Sequence, residues 1–396
     1  MQFLIDNQIS VELTFNTEPV TATLLDLFEY VESVQIGLPT AVIKLNCRDN
    51  DSVFEKASLY DGAKIKASIK HATIDFPYIL NLSIFGTPVI TPSTLTNEGY
   101  DITIQCVLDY AKYLVALPKA TYKGSVSNIL KNIAKECSLK TNVITTSDSQ
   151  VWFSHGRSYN TFAQHVVDHC YMSEVSLPVF GVTHPGTLLL KDAVDLLKKP
   201  PTHTLGYQTR VQYTDDEKRK QTAATAENAY LFVTYETKNL SGLFNATSAY
   251  GNSYLQHSVT SANDFESTKV TFSRKLANSE INKKLKIDYK EVALNYLPLD
   301  VGNTYPNFYK ALAKNIRLRN LYSNLLKVCS INEYTKIRLL DCVNVVIDLK
   351  FEDTKDEVHS GNYIVTAKTI NITRNLFREM ITLVNYGRNM QHKDLL

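Results

Sequence analysis

Short runs in which apolar and polar residues alternate dominate both ends of the chain, and the two ends read alike. Near the N-terminus, residues 41–46 are followed by the turn Tyr60-Asp61-Gly62 and then by 64–70, where Ile65, Ala67 and Ile69 interleave with Lys64, Lys66, Ser68 and Lys70. Near the C-terminus, residues 336–341 lead into 343–348, and Gly361-Asn362 opens 363–367. A period of two sends successive side chains to opposite faces, so each run predicts a half-buried strand. Residues 80–84, 102–107 and 379–384 repeat the pattern, while Pro88, Pro92 and Asn97-Glu98-Gly99 mark turns. Residues 24–31 fit a helix and a strand equally well. Residues 1–117 thus read as one β-rich unit, echoed by a second at the far end.

At Pro118 the period changes. Val126, Ile129, Leu130, Ile133, Ala134 and Cys137 recur at helical spacing, which predicts an amphipathic helix with Ser125 as its N-cap. A second helix is expected over about 160–171, with Phe162, Val166 and Cys170 on one stripe. Strands at 177–180 and 187–190 then flank a turn at Pro185-Gly186, and this α+β segment closes near Leu205-Gly206. Further β signal follows at 212–213 and 230–235. Residues 237–304 are polar, with a turn at Tyr250-Gly251-Asn252, and Pro306 opens a predicted helix carrying Leu312, Ile316, Leu321 and Leu325. No Pro- or Gly-rich linker separates these parts, so domains that pack closely and are discontinuous in sequence are expected.

Composition narrows the class. With 396 residues, 44% hydrophobic and 21% charged, the chain has the make-up of a globular protein of two or three domains. It lacks an apolar run long enough for a membrane helix, so no membrane insertion of its own is expected. The opening residues Met1 to Asp6 have no basic n-region, which points away from a secretory signal and toward synthesis and folding in a cytoplasm. The six cysteines, Cys47, Cys106, Cys137, Cys170, Cys329 and Cys342, form no CxxC pair and read as reduced, buried small hydrophobes.

The net charge of +2 conceals an asymmetry. Residues 1–117 hold 14 acids against 7 bases, so the remainder carries the compensating positive charge. Between Asp300 and Glu333 stand Lys310, Lys314, Arg317, Arg319 and Lys327 and no acid. Such asymmetry marks surfaces that meet one another or that avoid a polyanion, although any one of these bases also suits a solvated helix face.

Candidate chemistry is sparse. His165 and His169 lie at i and i+4, the spacing by which a zinc protease holds its metal, and His155, His184 or Cys170 could supply a third ligand. That chemistry requires a glutamate beside the first histidine, and Val166 stands there, so two histidines on the polar side of a packed helix is the better reading. A metal-dependent hydrolase using His165 and His169 is the alternative of another class. No GxSxG elbow, phosphate loop or dinucleotide turn is present, and no catalytic, cofactor-binding or metal-ligating residue and no cofactor is assigned. The sequons at Asn50, Asn81, Asn239, Asn245 and Asn371 read as chance matches without a secretion signal. A single Trp and an acidic N-terminal third also disfavour a nucleic-acid reader.

Three stretches together resemble the baseplate hub proteins of contractile-tailed phages and the hub portion of VgrG spikes in type VI secretion. They are the Asp61-Gly62 turn with the strand at 64–70, the run from Gly124 through Ser158-Tyr159-Asn160 to Lys191-Asp192, and the closing hairpin from Tyr363 to Asn385. A departure is Asp341-Cys342, where many such hubs carry a Gly in the turn.

The resemblance implies a β-dominated α+β chain with two similar tube-type β-barrel domains and an inserted α+β domain. Residues 1–117 would form the first tube-like domain, 118–205 plus 239–329 the insert, 206–238 plus 330–390 the second tube-like domain, and 391–396 a tail. It implies a structural, non-enzymatic hub at the distal end of a phage tail tube, assembled in the host cytoplasm and carried in the virion. The hub would be a homotrimer adapting a hexameric tube to a trimeric central spike, with a channel for transient, non-specific passage of DNA. Expected partners are the tail tube protein or a tube-initiating ring, the central spike protein and the surrounding baseplate wedge proteins. No needle-like segment follows Leu396, so the spike is expected to be a separate polypeptide. The hub of a non-phage contractile injection or type VI secretion apparatus is the near alternative.

Overall fold

Period-two alternation becomes burial along the N-terminal strands. In the strand Lys64–His71, Ile65, Ala67 and Ile69 are buried while Lys64, Lys66 and Lys70 face water. The structure is a computed structural model that describes residues 2–5, 9–16, 18–19, 24–34, 37–47, 59–71, 78–92, 99–173, 176–207, 229–239, 253–261, 264–271, 295–298, 324–331, 334–349, 354–355, 359–373 and 376–385.

Nine strands come first: β1 (Gln2–Ile5), β2 (Ile9–Phe15), β3 (Glu18–Pro19), β4 (Leu24–Ser33), β5 (Thr40–Cys47), β6 (Lys64–His71), β7 (Tyr78–Ile84), β8 (Val89–Pro92) and β9 (Tyr100–Leu108). The insert follows as α1 (Ala111–Val115), β10 (Thr121–Gly124), α2 (Val126–Glu136), β11 (Lys140–Val143), β12 (Gln150–Phe153), α3 (Tyr159–Asp168), β13 (Pro178–Thr183), β14 (Thr187–Asp192) and α4 (Ala193–Lys198). Then come β15 (His203–Tyr207), β16 (Ala229–Phe232), β17 (Thr234–Asn239), β18 (Ser253–Ser261), β19 (Asp264–Thr271), β20 (Asn295–Pro298) and β21 (Asn324–Ile331). The chain closes with β22 (Cys342–Val346), β23 (Asp348–Leu349), β24 (Thr354–Lys355), β25 (Gly361–Thr373) and β26 (Leu376–Asn385).

A single curled sheet of 16 strands joins the two ends of the chain. Its main path runs β1-β2-β6-β7-β9-β5-β4-β25-β22-β15-β16, and β26, β21 and β17 branch from β25. The N-terminal pairings are antiparallel, whereas β15 pairs in parallel with both β16 and β22. One core gathers Val11, Phe28, Ile43, Ile65 and Ile104 of the N-terminal strands. Another gathers Leu205, Phe232, Val328, Val345 and Val365. The β25–β26 hairpin serves both: Ile370, Ile372 and Phe377 near its tip enter the first core, and Tyr363, Ile381 and Leu383 the second.

Two bulges explain positions where alternation alone misleads. In β4 the register against β5 shifts between Leu25 and Leu27, so the buried residues fall at Leu25, Phe28 and Tyr30. The extra residue creates one helix-like spacing in a true strand, which resolves the ambiguity of residues 24–31 in favour of β. In β25 a shift between Val365 and Ala367 moves the buried set from Tyr363 and Val365 to Lys368, Ile370 and Ile372.

Other expectations are corrected. Residues 336–341 are not a strand but a loop turning at Leu339 and Leu340, the latter at φ 65°. Pro92 does not end the β signal; it closes β8, opposite Tyr100 of β9. Leu325 lies in β21, which pairs with β17 and β26, and not in a helix. The rest of the helix predicted from Pro306 and the segments at 212–213 and 250–252 lie outside the described residues.

The insert has its own core of Val126, Ile129, Ile133, Trp152, Phe162 and Val166. α2 starts where the periodicity places it, with Ser125 at the N-cap position, but the Ser125 hydroxyl lies against Ser127 Oγ at 2.9 Å and caps nothing. The first-turn N–H groups of Val126 and Ser127 donate instead to Asp148 Oδ1 and Thr146 Oγ1, each at 3.0 Å. Asp148 Oδ2 also accepts from Tyr171 N at 2.7 Å, so one buried carboxylate ties the start of α2 to the chain beyond α3.

Candidate assembly site at the junction of sheet and insert

Charge enters the core where β4 meets β25. On β4 the buried phase set by Phe28 and Tyr30 continues to Glu32, and on β26 the phase of Phe377 and Ile381 includes Glu379. β4–β25 pairing places Lys368 opposite Glu32. Glu32 is 3% exposed, Lys368 5% and Glu379 0%.

Each charge has partners. Glu32 Oε1 accepts from the Tyr30 hydroxyl at 2.9 Å, the Tyr78 hydroxyl at 3.3 Å and the backbone N–H of His184 at 2.9 Å. Glu32 Oε2 accepts from Thr183 Oγ1 at 2.7 Å. Lys368 Nζ lies 2.5 Å from Glu379 Oε1 in an ion pair, donates to the carbonyls of Thr335 and Ile337 at 3.0 Å each, and stands 4.4 Å from the centre of the Tyr334 ring. Glu379 Oε2 accepts from Thr335 N at 2.7 Å. Such partnering offsets the desolvation of buried charges, which is otherwise several kcal/mol per ion, in order of magnitude.

These surroundings shift the titrating groups. Burial, then the Glu32 charge, holds the Tyr30 and Tyr78 phenols well above their ordinary range. Burial by itself would lower the Lys368 ammonium, but the neighbouring Glu379 and Tyr334 outweigh it and the group is raised. Burial pushes His184 down. Its Nε2 lies 2.7 Å from the Ile79 carbonyl, which only accepts, so this nitrogen carries the proton.

The arrangement fastens three parts of the chain together. β4 brings Glu32, the β25–β26 hairpin brings Lys368 and Glu379, and the end of β13 in the insert brings Thr183 and His184. Tyr110 adds a bond from its hydroxyl to the Pro185 carbonyl at 2.7 Å. With its charged groups buried, the cluster suits holding domains in register. Sequence reading missed it, although a usable signal was present: a charged residue in phase with buried neighbours on a strand.

The residues singled out from the sequence are dispersed. His165 and His169 pack with ring centres 4.4 Å apart and their planes tilted by 56°, and His169 Nδ1 is 2.8 Å from the His165 carbonyl oxygen. The structure brings none of the suggested third ligands beside them: His155 packs near Phe153, His184 belongs to the junction, and Cys170 is buried with its thiol pushed up by desolvation. Among the described residues no group of three or more His, Cys, Asp or Glu is placed to hold a metal ion. Lys327 lies on β21 opposite Glu236, while Lys310, Lys314, Arg317 and Arg319 lie outside the described residues.

No protein-family model matches the sequence, and comparison with curated proteins finds no match. Solved structures do match along nearly the whole chain. A tail protein from Neisseria meningitidis is similar with a TM-score of 0.59 at 12% identity, over 96% of this chain and 97% of its own. The 43 kDa tail protein of prophage MuSo2 from Shewanella oneidensis gives 0.56 at 9% identity, over 95% and 98%. An E. coli component of the type VI secretion system, itself structurally similar to the T4 tail proteins gp27 and gp5, gives 0.51 at 14% identity, over 95% and 77%. The β-dominated fold, a large curled sheet with few helices, is therefore similar to that of these tail proteins and of the secretion component, as the resemblance read from the sequence implied.

Proposed function

We propose that this chain is a structural hub at the distal end of a phage tail tube. The observation that carries the reading is the likeness to two tail proteins over nearly their full length as well as its own. A curled sheet with two cores, bridged by a single hairpin, suits a wall built from two neighbouring β-units. In this reading residues 1–117 form the first tube-like domain, and 206–238 plus 330–390 the second. Pairing of β17 with β21 and of β21 with β26 argues for drawing 324–329 into that second domain and out of the insert.

Three copies would place six β-units around a channel, matching a hexameric tube on one side and a trimeric spike on the other. The tube or a tube-initiating ring, the central spike and the baseplate wedges are the partners, and the role is non-enzymatic and virion-borne. The 14 acids of residues 1–117 would give the channel a mostly negative wall, which keeps DNA from binding through counterion release as it passes.

Mass measurement in solution, alone and after co-expression with tail tube and spike proteins, tests the reading. A trimer in either sample is expected, and a monomer in both would overturn it. The likeness to the secretion component favours a second reading, the hub of a type VI or other contractile injection apparatus. Co-purification with a secreted tube protein in place of a phage tube would decide for that reading.

A further inference from the structure

Residues 110–147 hold six lysines and no arginine, against one acid, Glu136. Folding brings three of these lysines, Lys119, Lys123 and Lys135, around one groove of the insert. β10 and β12 form a two-stranded ribbon in which Thr121 pairs with Phe153 and Lys123 with Val151. Directly paired residues share a face, so these four project outward while Tyr122 and Trp152 turn into the core. Val151 is 43% exposed and Phe153 41%, and Leu117, two residues before Lys119, is 64% exposed.

Beside this face, between β10 and α2, lies an open groove of about 580 Å³ walled by Lys119, Lys123, Asn132 and Lys135. Its acid is already engaged, since the Glu136 carboxylate accepts from the Tyr122 and Tyr159 hydroxyls, both at 2.8 Å, and Lys119 stands 3.7 Å away. Burial would raise that carboxyl, but the two phenols and the nearby Lys119 and Lys112 hold it below its usual range. Lys123 and Lys135 have no ion-pair partner among the described residues. The face therefore combines unneutralised cations with adjoining apolar side chains.

We propose that this face of the insert docks an acidic segment of a partner protein, one whose carboxylates meet Lys119, Lys123 and Lys135 and whose apolar side chains cover Val151 and Phe153. Charge complementarity selects an acidic occupant, and the exposed Val151, Phe153 and Leu117 select a peptide over a nucleic acid, whose phosphates would leave them bare. The inference goes beyond the hub reading and does not depend on it.

Titration of the full chain with a fluorescein-labelled peptide alternating Asp and Glu with Leu tests the proposal, beside a control peptide with Ser for Leu and a short DNA duplex. Saturable binding of the first peptide is expected, weaker binding of the control, and weakest binding of the duplex. Lys123→Glu with Lys135→Glu should weaken the first peptide by about tenfold or more, and Phe153→Ser by several-fold. If the double reversal shows no native melting transition, Lys119→Gln with Lys123→Gln replaces it, with the same direction expected. Unchanged affinity in the folded variants, no binding of the Leu peptide, or a duplex that binds more tightly than it would each overturn the proposal.

Discussion

Glu32 and Lys368 stand opposite one another in the antiparallel pairing of β4 with β25, the pairing that joins the N-terminal strands to the C-terminal ones. Each is held by a different part of the chain, Glu32 by the insert's Thr183 and His184, Lys368 by Glu379 of the closing hairpin. The junction of the two cores is thus polar at its centre and apolar on both sides.

Removing one partner there should be costly. Lys368→Met leaves Glu379 buried without its cation, and a loss of about 3–5 kcal/mol is expected. Lys368→Met combined with Glu379→Met should recover much of it, because the apolar pair removes the unpaired Glu379 carboxylate, while Glu32 keeps its hydrogen bonds from Tyr30, Tyr78, Thr183 and His184. Urea unfolding midpoints of the two variants check this, and equal losses in both would refute it.

Capping of α2 offers a direct contrast between sequence and structure. Asp148→Ala removes the acceptor for Val126 N and Tyr171 N and should cost about 2–3 kcal/mol. Ser125→Ala should cost less than about 1 kcal/mol, since that hydroxyl accepts no first-turn N–H. Thermal midpoints of the two variants, measured side by side, should differ in that order.

Acid should loosen the junction through His184. Burial lowers its pKa in the folded chain, so between the two pKa values the unfolded state binds more protons. Stability is then fully present above the unfolded value of about 6.5 and falls as pH drops below it. His203, also lowered first by burial, adds to the same limb. His184→Gln should flatten the decline in melting temperature between neutral pH and mildly acid pH without abolishing it, and an unaltered slope would count against the assignment.

Zinc should not matter to this protein. Val166 stands beside His165 where a zinc protease carries the glutamate that takes a proton from bound water. Elemental analysis of purified protein should show no stoichiometric metal, and chelation should leave the melting temperature of both the natural chain and His169→Ala unchanged. One tightly held zinc per chain, lost in His169→Ala, would overturn this.

Local chemistry was sufficient for the elements whose burial depends on one periodicity. Alternation in β6 and β9 and the helical spacing from Val126 to Ala134 each describe one continuous buried face, and the fold uses them as written. The order of strands, helical insert and closing hairpin was likewise legible, and with it the likeness to tail hubs.

Tertiary structure decided the rest, because there the controlling interaction joins residues distant in sequence. The bulge in β4 is defined only by its register against β5. Leu325 becomes a strand residue because β21 pairs with β17 on one side and β26 on the other, placing Leu325 opposite Lys238 and Val384. Asp148 displaces Ser125 as the cap of α2 because a buried carboxylate accepts two N–H groups where the hydroxyl accepts none. Glu32 and Lys368 lie far apart in the chain, and only the pairing of β4 with β25 buries them together.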